Sequence, residues 1–103
     1  MGVYVVTGAG SGMGRAAADR LRDTGHTVIG VDLREADVMA DLATAAGRRS
    51  AAAAVLEACG GRLDGAVLAA GLGPVRGRER EIVEVNYFGV TELLRAWRPA
   101  LAA

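Results

Sequence analysis

Four glycines occupy alternate positions in the segment VTGAGSGMG, residues 6–14. Such a run indicates a backbone that turns tightly or comes very close to another group. The segment separates a predicted strand from a predicted helix, and the N-terminus of a helix presents unpaired N–H groups and a partial positive charge. Phosphate binding is the chemistry that suits this turn. Gly8, Gly12 and Gly14 would permit the turn, the approach of the phosphate and a tight helix–strand contact. A glycine-rich turn without a ligand is the alternative.

A carboxylate follows the glycines at a spacing typical of dinucleotide-binding units. Asp32 ends the second predicted strand, and an acidic residue roughly 20 residues after the turn accepts hydrogen bonds from the adenosine ribose hydroxyls. The same charge repels a 2′-phosphate, so Asp32 favours NAD over NADP. Arg15 and Arg34 could pair with a 2′-phosphate, although a solvated surface position is the simpler interpretation of both.

The elements that must position these residues follow from hydrophobic periodicity. Short β-rich runs predict strands over residues 3–6, 27–31 and 66–69, with a brief further strand around 37–40. Apolar residues at helical spacing predict helices over 13–24, over 44–59 and from about residue 80 onward. The predicted inner face of the first helix consists of Met13, Ala17 and Leu21, and a loop over 72–77 precedes the last helix. Gly25 is expected to cap the first helix. The alternation of strands and helices predicts an α/β fold with a parallel sheet.

Composition restricts the function classes. The 103 residues carry a formal net charge of zero and are 51% hydrophobic, which predicts one globular domain and argues against a nucleic-acid or anionic-membrane partner. No apolar run is long enough to span a bilayer, and no secretory signal is evident. The single cysteine, Cys59, is expected in the core and fits a cytoplasmic location. His26 has no partner at metal-ligand spacing, so no metal site is predicted.

The spacing T-G-x-x-x-G-x-G, which begins at Thr7, resembles the short-chain dehydrogenase/reductase family, and other stretches agree. Asp41-Leu42 matches that family's Asp near the adenine. LAAG, residues 68–71, stands where the family has N-N-A-G, so Leu68 and Ala69 replace two asparagines. VNYFG, residues 85–89, matches the helix that carries an Asn, here Asn86. Within the family, these stretches look like the bacterial 3α-hydroxysteroid dehydrogenase/carbonyl reductase group.

The resemblance implies a Rossmann-type doubly wound sheet with about four strands in the order 3-2-1-4. It also implies a nicotinamide cofactor, NAD rather than NADP, and Asn86 as a catalytic position of the family. The residues that it assigns to the cofactor are Gly8, Ser11, Gly12, Met13, Gly14, Asp32, Leu33, Asp41, Leu42, Ala70 and Gly71.

The catalytic Tyr-x-x-x-Lys pair and Ser of that family are not found. The chain has no lysine, Tyr4 and Tyr87 are followed four residues later by Gly8 and Thr91, and neither serine matches. A tyrosine with its usual pKa near 10 is a poor base at neutral pH. The resemblance therefore implies that residues 1–103 are a truncated N-terminal domain of an oxidoreductase acting on a hydroxysteroid or another alcohol or carbonyl compound. The alternatives are a non-catalytic nucleotide-binding or self-associating module and a structural fragment that binds nothing.

The last helix is predicted to be apolar on two faces. One face, suited to the sheet, comprises Ile82, Val85, Gly89, Leu93 and Ala96. The other follows the spacing of a helix–helix seam and comprises Val83, Tyr87, Val90, Leu94, Trp97 and Leu101. In the family this helix packs against its copy, which predicts a homo-oligomer; segments further along the same chain are the alternative cover. Pro99 is expected to kink or end the helix near Arg98.

Overall fold

The computed structural model describes residues 1–73 and 76–102. Pro74 and Val75, which fall in the loop predicted over 72–77, and Ala103 lie outside the described residues. The strands are β1 (Val3–Thr7), β2 (Thr27–Asp32), β3 (Val38–Met39) and β4 (Gly65–Leu68). The helices are α1 (Gly12–Asp23), α2 (Ala45–Ala58), α3 (Glu79–Val83) and α4 (Gly89–Ala102), with a π-helical turn over Glu84–Phe88 between the last two. All strand pairs are parallel and the sheet order is β3-β2-β1-β4, which confirms the predicted α/β fold and strand order.

The central strands are apolar on both sides because helices cover both faces of the sheet. Val5 and Val6 are consecutive in β1 and fully buried, and they belong to different clusters. Val5 packs with residues of α2 and α4, whereas Val6 packs with Ala18 of α1. A continuous apolar run is therefore the pattern expected of a strand in a parallel sheet.

The predicted inner face of α1 is wrong at Met13 only. Met13 is 82% exposed, whereas Leu21 packs against the cluster of Val6 and Ala18 and Ala17 is half-buried. The first turn of the helix instead packs through Gly14, which is buried and lies against the carbonyl group of Gly8 at the end of the glycine turn. The cap is as predicted, since Gly25 follows the helix with a φ of +95°.

The boundaries of α2 agree with the prediction because side-chain and backbone caps define them. Thr44 precedes the helix, and its Oγ1 accepts a hydrogen bond from Gly47 N at 2.9 Å. Cys59 follows it, half-buried against the core as predicted. No helix within residues 1–73 and 76–102 is both long and apolar enough to cross a membrane.

The predicted position of Trp97 and the predicted end of the last helix are wrong. Trp97 does not lie on an outer seam: it is fully buried, and its indole N–H donates to Ala52 O at 3.2 Å. Pro99 does not end the helix, which continues to Ala102, and a kink near Arg98 stays a prediction. Tertiary packing holds the final turn in place, because Ala100 is buried and its carbonyl accepts a hydrogen bond from Leu63 N at 3.1 Å. The five residues of the predicted sheet-facing set, by contrast, are all buried or half-buried.

Candidate functional site

A cavity of 310 Å³ opens at the carboxyl ends of the strands. Eight of the residues assigned to a cofactor line it: Gly8, Ser11, Asp32, Leu33, Asp41, Leu42, Ala70 and Gly71. The lining that the sequence did not indicate consists of Val31, Ala40, Ala43, Ala69, Leu72, Arg78, Glu81 and Val85. Gly12, Met13 and Gly14 are not in this wall; they form the first turn of α1 beside it. Residues from four strand ends and from the helix after β4 thus converge on one space.

The glycine turn joins β1 to α1 through two close backbone approaches. Gly8 has a φ of +71° and donates its N–H to Val31 O at 2.8 Å. A Cβ on Gly8 would lie 2.9 Å from backbone atoms of Ala70, and a Cβ on Gly14 would overlap the carbonyl group of Gly8. These two glycines therefore bring the turn against both the tail of β4 and the start of α1.

The N-terminus of α1 is open to an anion. Ser11 precedes the helix in an extended conformation, and its side chain makes no capping hydrogen bond. The first turn has no acidic residue, and beyond its own helix and chain neighbours no atom of residues 1–73 or 76–102 lies within 4 Å of the Cβ position of Gly12. The N–H groups of this turn and the positive end of the helix dipole are thus not neutralised by a side chain of the helix, which is the arrangement that binds phosphate.

Asp32 is held in place by two backbone N–H groups. Its Oδ2 accepts from Gly10 N at 2.8 Å and its Oδ1 accepts from Leu33 N at 2.7 Å. Each carboxylate oxygen has a further lone pair, so the side chain can still accept hydrogen bonds from a diol. Asp32 also borders a second, more open cavity of 560 Å³, which is lined in part by Arg15, Arg22 and Arg34.

Another part of the cavity wall combines an apolar contact with an exposed ion pair. Leu42 is buried, and Asp41 Oδ1 accepts from Ala43 N at 2.9 Å. Across the opening, Arg78 forms a salt bridge with Glu81. That hydrogen bond lowers the pKa of Glu81 and raises the pKa of Arg78, to which the nearby charge of Asp41 adds a smaller effect. Both side chains are exposed, so the pair can be rearranged at little cost.

Asn86 lies next to the cavity, and its side chain makes two hydrogen bonds to the backbone. Its Oδ1 accepts from Leu72 N at 2.8 Å and its Nδ2 donates to Leu72 O at 3.1 Å. Its Oδ1 also lies 3.3 Å from the Cβ position of Gly71. Asn86 therefore braces the segment after β4, and its family position as a catalytic residue stays a prediction.

Thr7→Val is expected to lower the free energy of unfolding by about 1–3 kcal/mol, the cost of an unsatisfied buried N–H group. Thr7 is buried, and its Oγ1 accepts from Ala70 N at 3.1 Å, which ties the end of β1 to the tail of β4. Urea unfolding followed by circular dichroism measures the loss. Thr7→Ser keeps the oxygen and serves as the control; equal losses in the two variants would contradict the role of the hydrogen bond.

Comparison with known proteins finds a curated relative that is similar to the chain over most of its length. No protein-family model matches the chain. The 3-alpha-hydroxysteroid dehydrogenase/carbonyl reductase of Comamonas testosteroni is 48% identical over 101 residues, which are 98% of this chain and 39% of that protein. The chain thus spans about two-fifths of the length of this curated relative.

Solved structures share the fold as well. The 3-alpha-hydroxysteroid dehydrogenase of Pseudomonas sp. B-0831, complexed with NADH, superposes with a TM-score of 0.94 at 49% identity, over 97% of this chain and 39% of that one. A metagenomic short-chain oxidoreductase in complex with NADP gives 0.82 at 27% identity, over 97% of this chain and 56% of that one. These matches confirm the predicted resemblance over the N-terminal part of such proteins.

Proposed function

We propose that this chain, which has the sequence and fold of the N-terminal part of the short-chain dehydrogenase/reductase family, is the nicotinamide-dinucleotide-binding portion of an oxidoreductase. Residues 1–103 would form one binding domain. The substrate of the whole enzyme would be a hydroxysteroid or another alcohol or carbonyl compound, as the names of the relatives suggest. The bound dinucleotide would supply the hydride acceptor or donor.

One observation carries the proposal: the uncapped N-terminus of α1 and the fixed carboxylate of Asp32 open into adjoining space at the same sheet edge. The first suits a pyrophosphate and the second suits a ribose diol. The adjoining wall, with Asp41 and the buried Leu42, would receive the adenine. Ala70 and Gly71 keep the path along the tail of β4 free of large side chains.

The charge of Asp32 supports NAD over NADP. A 2′-phosphate on the ribose would lie near this carboxylate, and two like charges at close range repel. Arg15 and Arg34 border the same open cavity, but Asp19 and Glu35 border it too. Arg15 is also paired with Asp19 at 4.0 Å. The cavity therefore offers little net positive charge for a phosphate.

Asp32→Asn is expected to weaken NAD binding by about 10–100-fold, because hydrogen bonds to a charged group contribute roughly 1.5–3 kcal/mol. NADP binding should weaken less or improve, since the repulsive charge is gone. Calorimetric titration of the unmodified chain and the variant with each dinucleotide measures both effects.

Asp23→Asn is the matched control, because Asp23 is an exposed carboxylate at the far end of α1. It should bind both dinucleotides like the unmodified chain. Failure of the unmodified chain to bind either dinucleotide would refute the proposed function. Equal weakening for NAD and NADP in Asp32→Asn would refute the assignment of cofactor preference to this carboxylate.

Proton transfer is not expected from residues 1–103. The chain has no lysine to lower the pKa of a tyrosine. Tyr4 packs edge-to-face on His26 with ring centroids 4.8 Å apart, and Tyr87 is 60% exposed, on the helix face away from the core. We therefore propose dinucleotide binding without turnover, and dehydrogenase activity in the pure 103-residue chain would contradict this.

We also propose that the chain self-associates through the outer face of its last helices. Val83, Tyr87 and Leu94 are 52%, 60% and 45% exposed, and they lie along one side of the π-helical turn and its flanking helices. An apolar outer face of a helix is stabilised when a second protein surface packs on it and removes it from water. A copy of the same chain is the partner that we propose.

Leu94→Glu is expected to raise the dimer dissociation constant by at least about tenfold, because a charge would be buried in the contact. Sedimentation velocity at tens of micromolar compares it with the unmodified chain. Met39→Glu is the control, since Met39 is also largely exposed but lies in β3. A purely monomeric unmodified chain under these conditions would rule out the proposed contact.

A further inference from the structure

Arg48 is a charged side chain buried in the helical layer. Arg48, in α2, is 4% exposed. Its Nη1 lies 2.9 Å from Glu84 Oε2, and its Nε lies 2.7 Å from Glu92 Oε1. Its Nη1 also donates to Leu42 O at 3.1 Å. Burial alone would lower the pKa of Arg48, but the hydrogen bonds and charges of Glu92 and Glu84 outweigh it and raise the pKa.

The partners of Arg48 bracket the π-helical turn. Glu84 is the first residue of the turn, and its carbonyl oxygen accepts from Gly89 N, five residues on, and from Arg48 Nη1 at 3.4 Å. Phe88 is the last residue, and its ring centroid lies 5.7 Å from the guanidinium carbon. Glu92 follows in α4. The guanidinium thus contacts both ends of a backbone conformation that is rare and is frequently found at functional sites.

The middle of the turn carries Asn86, which holds the backbone of Leu72 at the edge of the cavity. Relaxation of the turn to ordinary α-helical bonding would rotate Asn86 relative to Leu72. Arg48 and Asn86 therefore act on the same turn, although they contact different parts of the protein.

We propose that Arg48 is a positioning residue for the dinucleotide pocket: it holds the π-helical turn in the conformation in which Asn86 fixes Gly71 and Leu72 at the pocket edge. The inference rests on the proposed function for its effect on binding. Its structural part, the dependence of Asn86 on Arg48, stands independently of any ligand.

The sequence provides two unique reporters for a test. Asn86 is the only asparagine and the chain has no glutamine, so its side-chain amide gives a single pair of signals in a ¹⁵N–¹H correlation spectrum. Trp97 is the only tryptophan, and its indole N–H reports on the intact core. Spectra of the dinucleotide-free protein therefore separate a change at Asn86 from unfolding.

Arg48→Met is expected to shift the Asn86 amide pair and to speed its exchange with water, while the Trp97 signal is retained. Arg49→Met is the matched control, because Arg49 is the exposed neighbour on α2, and it should leave both signals unchanged. If Arg48→Met loses the Trp97 signal, Glu92→Ala, at the most exposed partner, is the variant to measure, because it adds no side-chain amide. An unmoved Asn86 pair in a folded Arg48→Met or Glu92→Ala variant would overturn the inference.

The second arm measures NAD affinity in a double-mutant cycle. Arg48→Met and Asn86→Ala are each expected to weaken binding by about fivefold to tenfold, the effect of one lost hydrogen bond. The double variant should be no weaker than the weaker single variant, because both act through one contact. Additive losses would mean that Arg48 acts only through general stability and would overturn the inference. Absence of NAD binding by the unmodified chain would refute the proposed function and leave the spectral result as the test of the coupling.

Discussion

Gly14→Ala is expected to destabilise the protein by about 3–5 kcal/mol and to abolish dinucleotide binding. The added Cβ would overlap the carbonyl group of Gly8 and lie 3.1 Å from Thr7 O, and all of these are backbone atoms. Backbone in a tight turn cannot rotate aside as a long side chain can. Relief requires α1 to move away from β1, which opens the turn that would hold the phosphate. Urea unfolding and calorimetric titration measure the two losses.

Gly73→Ala is the control for the loss of a glycine as such. Among the described residues other than its chain neighbours, no atom lies within 4 Å of its Cβ position, and its backbone is not in the left-handed region. Its stability should remain within about 0.5 kcal/mol of the unmodified chain, as for an ordinary surface substitution. A similar loss in both glycine variants would contradict the close packing of Gly14 on the turn.

Gly10→Ala separates binding from folding. Its Cβ would lie 2.8 Å from Asp32 Oδ2, which is a side-chain atom able to move. The fold should therefore survive while the carboxylate is displaced from its position on Gly10 N and NAD affinity falls. Retained affinity in this variant would mean that the position of Asp32 is unimportant for binding.

Local chemistry explains why much of the site could be predicted. The glycine turn and Asp32 belong to one strand–helix–strand unit, so their spacing in sequence nearly determines their spacing in the fold. Runs of β-branched residues likewise predict buried strands, and a strand order follows once the connections are parallel. These features need little knowledge of how distant helices pack.

The features that were missed depend on tertiary packing. Arg78, Glu81 and Val85 reach the cavity because the segment after β4 packs beside the carboxyl ends of the strands, which no local pattern specifies. The π-helical turn has no distinct sequence signature, and its stabilising partner Arg48 lies on another helix. Met13 was mispredicted as buried because Gly14, which has no side chain, carries no hydrophobic signal although it sets the contact.

In the last helix, the apolar pattern alone does not determine which face of the helix packs on the core. Leu94 and Trp97 share a predicted seam because they lie three residues apart on an amphipathic helix. The structure separates them: Leu94 is 45% exposed and Trp97 is fully buried between the helices and the sheet. The carbonyl of Ala52 in α2 supplies the partner that allows an indole N–H to be buried.

Trp97→Ala is expected to cost about 3–5 kcal/mol of unfolding free energy, the range for removing a large buried aromatic side chain. Domains of this size are stable by only about 5–15 kcal/mol, so the variant should be largely unfolded at a modest urea concentration. Urea titration followed by far-ultraviolet circular dichroism measures the shift, and Trp97→Phe should lose less because most of the ring volume remains.

Leu94→Ala is the matched comparison from the same predicted seam. Its loss should stay near 1 kcal/mol in dilute monomer, since only part of its side chain is removed from water. Equal losses at the two positions would place Trp97 back on an outer face and contradict the core described by the structure. A large difference would show that the sheet, α2 and α4 share one core centred on this indole.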